Sequence, residues 1–245
     1  MLKKIVVLAV SNKPPGRCVA GIEILEDGSF GNWIRPINPD TNNGNGLELS
    51  ILFNQHRELI KLMDIVSFEV KEKNYSIRYQ TENFNIFTKK HPQSTFFHLG
   101  RLSVKKLFEC LDQNLEWPNN NSSQSKINDR ISEKIFRRVK RSLYLIKCPL
   151  KVYITNEGKK FYGEFSFNST SYKLDITCPI FKGEFKSREE RTYNFQNVIM
   201  CLSIGENYKG SAYKLIASII NLENYSEEKF ENFSNPEVES MSEYK

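Results

Sequence analysis

Between Leu143 and Ile176 the chain turns back every few residues, and that rhythm limits what it can fold into. Leu143 to Cys148 and Lys151 to Thr155 read as two short strands. Lys160 to Phe167 alternates Phe161, Gly163, Phe165 and Phe167 on one face, and Tyr172 to Thr177 alternates Tyr172, Leu174 and Ile176. Asn156-Glu-Gly158 and Asn168-Ser-Thr170 supply the turns. Strands this short and this closely spaced belong to a small barrel or sandwich. Two further strands, Val198 to Ile204 and Tyr213 to Ile220, flank the glycine-bounded loop Gly205 to Gly210.

The N-terminal half carries the same signature. Residues 3 to 10 are a near-continuous apolar run, the mark of a strand buried on both faces. Its apolar core is too short for a signal peptide or a membrane span. Lys13-Pro-Pro-Gly16 turns the chain into a strand from Val19 to Leu25. Asp27-Gly28 is a hairpin signal before a third strand, Gly31 to Ile37, and Leu62 to Val70 is a fourth. Pro179 to Tyr193 reads as a polar connection. Between the halves, Ser103 is expected to cap a helix reaching Asp112, and Ile127, Ile131, Ile135 and Val139 recur at helical spacing over 126–141. The expectation is a mainly β chain with a few helices (α+β). An N-terminal β domain spans 1–100, a helical connection 101–141, a C-terminal β domain 142–222 and an acidic tail 223–245.

Charge enters where partners are considered. The 35 Lys and Arg outnumber the 29 Asp and Glu. Setting aside 223–245, which hold seven Glu and two Lys, leaves 33 basic and 22 acidic side chains, a balance of +11. A basic body with an acidic tail fits a polyanionic partner, and the tail itself is a candidate protein contact. The same composition also serves solubility alone. The five cysteines are spread without a Cys-x-x-Cys pair, which points to reduced thiols in a cytoplasmic protein.

Six short blocks in order carry a resemblance. They are Gly16-Arg-Cys-Val-Ala-Gly21, Gly31-Asn-Trp-Ile-Arg-Pro36, Leu62-Met-Asp-Ile65, Tyr79-Gln-Thr-Glu-Asn83, Leu202-Ser-Ile-Gly-Glu206 and Tyr213-Lys-Leu-Ile-Ala217. With them the chain resembles the bacterial dual OB-containing domain family. The departure is Asn32, which separates Gly31 from Trp33 where the family pattern sets glycine beside the tryptophan. The resemblance implies two OB-like small β-barrels and, through the fold, nucleic-acid binding in a bacterial defence or mobile-element setting. It brings no catalytic set and no cofactor.

The residues themselves offer no catalytic constellation. His56, His91 and His98 have no partner at metal-ligand spacing. Asp64 and Glu82 with Lys214 make a poor nuclease set. Cys18 and Arg17 point to opposite faces of one strand, Ser203 lacks the Gly-x-Ser-x-Gly elbow, and Gly44-Asn-Gly46 is not followed by Lys-Ser. What remains suits binding rather than reaction. Trp33 and Tyr79 are candidates for stacking bases, Arg17, Arg35 and Lys214 for phosphates, Gln80 and Asn83 for base edges, with Glu82, Glu206 and Tyr213 beside them. Arg130, Lys134, Arg137, Arg138 and Arg141 are candidates for tracking a backbone. Each has a structural alternative: Trp33 as core, Arg35 ion-paired to Glu82 or Glu206 between the halves, Asn83 as a turn cap. Single-stranded nucleic acid is the favoured partner. A nucleotide- or modified-base-binding enzyme or sensor with a polar pocket between the barrels, and a protein-interaction scaffold, are the alternatives.

Overall fold

In a computed structural model, residues 1–38, 46–88, 94–118, 121–155, 160–185 and 192–225 are described. The first five strands are β1 (Leu2–Lys13), β2 (Gly16–Ile24), β3 (Phe30–Ile37), β4 (Asp64–Lys73) and β5 (Asn83–Ile86). They close on themselves. β1, β2 and β3 form an antiparallel meander, β3 runs parallel to β5, β5 pairs antiparallel with β4, and β4 returns to β1. A register shift between Val7 and Ala9 lets the long β1 serve two neighbours, β4 through Leu2–Val6 and β2 through Ile5–Lys13. β6 (Phe97–Arg101) extends the sheet beside β4. Gly21 lets β2 lie against β1: a Cβ there would stand 2.0 Å from the Val6 carbonyl oxygen.

After β6 comes a connection with one short helix, α1 (Val104–Leu107), and β7 (Arg130–Ser132). The second barrel is built from β8 (Leu143–Lys147), β9 (Leu150–Thr155), β10 (Lys160–Phe167), β11 (Thr170–Ile176), α2 (Pro179–Phe185), β12 (Thr192–Phe195), β13 (Val198–Tyr208) and β14 (Ser211–Asn221). Its path repeats the first. β9, β10 and β11 meander, β11 runs parallel to β14, β14 pairs with β13, and β13 pairs with β8. β8 and β9 together occupy the place of β1. The strand is broken at Cys148-Pro149, where proline offers no N–H to a ladder, and the covalent chain completes the circuit. Phe161 and Phe165 point inward, so Tyr162, Glu164 and Ser166 lie on the opposite face, where Tyr162 is itself buried, with the Lys126 and Lys173 ammonium groups 5.7 and 5.9 Å from its ring centroid. Where a polar connection was expected after Cys178, α2 instead brings Phe181 and Phe185 onto the barrel with ring centroids 4.6 Å apart.

The barrels share an apolar wall. Leu143, Leu145, Ile199, Cys201, Ala217 and Ile220 of the second join one cluster with Ile5–Val10, Val19 and Ala20 of the first. Both faces of β1 are therefore covered, which accounts for its uninterrupted apolar run. The polar seams on this wall are closed, with the Asn12 N–H donating to Thr177 O at 2.9 Å and the Ser218 hydroxyl to Leu8 O.

The connection departs from expectation. Ser103 does cap a helix, accepting from the Lys106 N–H at 3.3 Å, but after Leu107 the chain tightens into a 3-10 turn over Phe108–Cys110. No helix spans 126–141. Ile127 bridges to Lys173, Asn128 has φ 50°, Arg130–Ser132 pairs with β14, and only Glu133–Arg138 coils, as a 3-10 turn. The four isoleucine and valine positions that mimic a helical stripe are β-branched and suit the extended form equally. The buried Asp129, accepting from the N–H and hydroxyl of Ser123, fixes that local course. The acidic tail beyond Tyr225, the charged run 187–191, the turn at 156–158, most of the loop 38–46 and His91 lie outside the described residues.

Candidate nucleic-acid interface

The residues singled out in the sequence divide into those that hold the barrels together and those that face out. Arg35 is 4% exposed and Glu82 is likewise buried. Register sets them side by side, because β3 lies parallel to β5 with Arg35 opposite Asn83. The guanidinium pairs with Glu82 at 2.9 Å and donates to Asn83 Oδ1 at 3.1 Å, Ser142 Oγ at 2.9 Å and Ser203 Oγ at 3.3 Å. The Ser142 hydroxyl in turn donates to Glu82 Oε1. Gln80 Nε2 donates to Ile204 O at 3.0 Å, Asn83 Nδ2 to Gln80 Oε1 at 3.1 Å, and the Tyr79 hydroxyl to Gly205 O at 2.9 Å. Burial pushes that phenol up to about 12. Ser142, Ser203, Ile204 and Gly205 belong to the second half. The block Tyr79–Asn83 with Arg35 is thus a clasp between barrels, so Arg35, Gln80, Asn83 and Glu82 Oε1 are already engaged within the protein, while Glu82 Oε2 is not.

Lys214 and Glu206 are engaged within the protein as well. Lys214 is 1% exposed inside the second barrel, donating to Asn128 Oδ1 at 2.7 Å and Pro118 O at 3.0 Å, with the Tyr172 and Trp117 rings 5.4 and 5.9 Å away. Desolvation brings its pKa down to about 7. It is a core lysine and reaches no phosphate. Glu206 pairs with Lys13, and Tyr213 lies on β14 opposite Arg130. Arg17 is partly exposed at the start of β2, its main chain bonded to Leu47. Trp33, 9% exposed, forms part of the wall of a cleft on the first barrel.

The basic set is also split. Arg141 lies over the Tyr144 ring at 3.9 Å and pairs with Asp112, while Arg130 donates to Ser122 O at 3.0 Å. Lys134, Arg137 and Arg138 stand exposed on the 3-10 turn. With Arg78, Lys134 and Arg137 line a groove of about 560 Å³ that also takes in Tyr79, Phe136 and Asn207. This groove sits where the β4–β5 connection of the first barrel meets the end of β13 leading into the β13–β14 turn of the second.

What the sequence reading passed over is the outer face of β9, β10 and β11. Two cross-strand rows stand there. Lys151, Glu164 and Lys173 form one, and Tyr153, Tyr162 and Asp175 the other. The Lys173 ammonium is 4.9 Å from the Tyr153 ring centroid and 5.9 Å from that of Tyr162. Lys151 is 5.1 Å from Tyr153, and Lys126 is 5.7 Å from Tyr162 and paired with Asp175. Counting Lys160 at the end of β10, four lysines face Glu164 and Asp175. The signal was present as aromatic residues at outward positions, Lys151-x-Tyr153 and Lys160-x-Tyr162, opposite the phenylalanine face that drew attention. From this face the connection carries further cations toward the groove. Ile127 bridges Lys173, Arg130 pairs with Tyr213, and the Glu133 N–H bonds Gly210 O, so Lys126, Arg130, Lys134 and Arg137 follow one course.

Among the described residues no group of three or more His, Cys, Asp or Glu side chains is arranged to hold a metal, and no helix is long and apolar enough to cross a membrane. A family model, the dual OB-containing domain, matches residues 3–219, and the chain belongs to that family. No curated protein and no solved structure matches it.

Proposed function

We propose that this dual OB-containing chain binds single-stranded nucleic acid, with a base laid against the half-buried Tyr153 and phosphates met by Lys151, Lys160 and Lys173. OB barrels take oligonucleotides on the face of their second and third strands and the adjoining loops, and β10 and β11 hold those places in the second barrel. The observation that carries the reading is the half-buried Tyr153 ring, with the Lys151 and Lys173 ammonium groups 5.1 and 4.9 Å from its centroid on the outer face of β9–β11. Stacking on an aromatic ring is worth roughly 1–3 kcal/mol per base and tolerates any sequence. The cations at Lys126, Lys134 and Arg137 extend the phosphate path toward the groove shared by the two barrels.

Fluorescence anisotropy with labelled single strands of DNA and RNA tests this. With about four phosphates neutralised, affinity falls about 50-fold between about 50 and 200 mM salt. A chain that binds neither strand at the lower salt overturns the reading.

A further inference from the structure

The first barrel presents the equivalent face, β2 and β3 with β5, and there the surface is a cleft rather than an open sheet. Residues 109–112 and Arg141 of the connection wall it in, leaving about 580 Å³ lined by Phe30, Trp33 and Phe84 on the barrel side. This lies within the range of small-ligand sites. Its charges differ from those of the lysine-rich face. The lining carboxylates Glu23, Glu82, Glu109 and Asp112 stand against Lys3, Lys73 and Arg141. Lys3 is tied to Glu23 and Arg141 to Asp112. Nothing in that balance attracts a phosphate.

Glu82 supplies the second observation. Its Oε1 takes both Arg35 and Ser142, while its Oε2 is buried without any hydrogen-bond partner. A buried acceptor left unmet is costly to the fold unless a donor reaches it. The terminal torsion of a glutamate is broad, so a modest rotation offers this oxygen to a donor in the cleft, where Glu82 forms part of the wall. Aromatic side chains beside an unmet acceptor, in a cleft of mixed charge, select a planar neutral molecule with an amino group standing out from its ring, because the ring N–H of a uracil lies between two carbonyl oxygens that a carboxylate repels. We infer that this cleft holds a single nucleobase bearing an exocyclic amino group, the ring against Trp33 and Phe84 and the amino group donating to Glu82. The site is separate from the strand-binding face, and its test needs no strand.

Titration of the full chain with cytidine, adenosine, guanosine, uridine and choline, followed by tryptophan fluorescence and calorimetry, decides it. The amino-bearing nucleosides bind, and uridine binds about tenfold or more weaker, the value of one hydrogen bond to a charged group. Affinity changes less than about twofold over the salt range that weakens a strand about 50-fold. Asn32→Trp, at an exposed position on the cleft wall, fills the cleft and removes nucleoside binding while Lys173→Ala leaves it intact. Glu82→Gln, if its melting curve shows it folded, loses the preference over uridine. Two arms separate the sources of the base. If it arrives within a strand, a thymidine oligonucleotide with one internal cytosine outbinds the all-thymine strand, and Asn32→Trp erases the advantage. If it arrives free, the two strands bind alike and cytidine still quenches. No nucleoside binding, equal binding of uridine and cytidine, binding of choline alone, or an Asn32→Trp variant that still binds would each overturn the inference.

Discussion

Lys214 offers a sharp test of how the second barrel is built. Its ammonium is sealed among Tyr172, Trp117, Asn128 and the Pro118 carbonyl, with desolvation the main cause of a pKa near 7. In the unfolded chain the same lysine titrates at its ordinary value of 10.5. Between these values the unfolded chain binds a proton that the folded chain does not, so stability rises with pH. The cost is fully present below pH about 7 and is relieved toward about 10.5. Integrated from pH about 7 to 9, the gain is about 2 kcal/mol. The wild-type protein alone will not show it cleanly. All five cysteines have raised pKa values through burial, and their unfolded thiols begin to ionise in the same window, which lowers stability. Lys214→Met keeps the volume and leaves those thiols in place, so the difference between the two proteins isolates the lysine. Urea unfolding at both pH values should show wild type gaining about 2 kcal/mol on Lys214→Met, or about 4–8 °C in Tm. A difference that holds constant within about 0.5 kcal/mol would mean that Lys214 stays charged when folded, and the account of its burial would fail.

Four further outcomes are expected. Arg35→Met alone leaves Glu82 buried without its cation and costs about 3–5 kcal/mol, whereas Arg35→Met with Glu82→Leu recovers most of that loss in chemical denaturation. Equal losses in the two variants would contradict the clasp. Tyr153→Ala weakens single-strand binding about tenfold by anisotropy with an unchanged melting temperature. Lys134→Ala with Arg137→Ala lowers the salt slope by about 1.4, at about 0.7 for each phosphate no longer neutralised, and an unchanged slope would move the phosphate path elsewhere. Gly21→Ala forces a methyl to within 2.0 Å of the Val6 carbonyl oxygen and destabilises the first barrel by at least about 2 kcal/mol in thermal melts.

The barrels were legible because their signals are local. Asp27-Gly28 turns β2 into β3 with Gly28 at φ 81°, and the alternation of Phe161 and Phe165 needs only one strand to be read. The connection was misread because Ile127, Ile131, Ile135 and Val139 fit two periods, and the choice was made by distant partners, Lys173 and β14. The clasp was legible only as the alternative of an Arg35–Glu82 ion pair between the halves, for a related reason. Arg35, Glu82 and Asn83 look like ligand residues in a string of letters because polar groups near strand ends usually meet solvent. Their fate depended on Ser142 and Ser203, more than a hundred positions away from Arg35, arriving to enclose them.

That enclosure also decides which surface remains for a strand. The second barrel spends β8, β13 and β14 on the wall it shares with β1 and β2, so the strands on the far side of its circuit, β9, β10 and β11, are the ones left open. The first barrel keeps β2 and β3 only behind the connection at 109–112, as a cleft with four carboxylates against three cations. One topology, used twice in one chain, thereby yields two unlike surfaces, a lysine-rich sheet face bearing Tyr153 and a cleft lined by aromatic rings and carboxylates. The difference comes from what packs over each barrel rather than from the barrels themselves. It follows that cutting the connection's cover back, with Glu109, Leu111 and Asp112 changed to glycine, should open the first face. Such a variant should lose nucleoside affinity while single-strand binding through Tyr153 and Lys173 persists, and loss of both together would tie the two surfaces into one site.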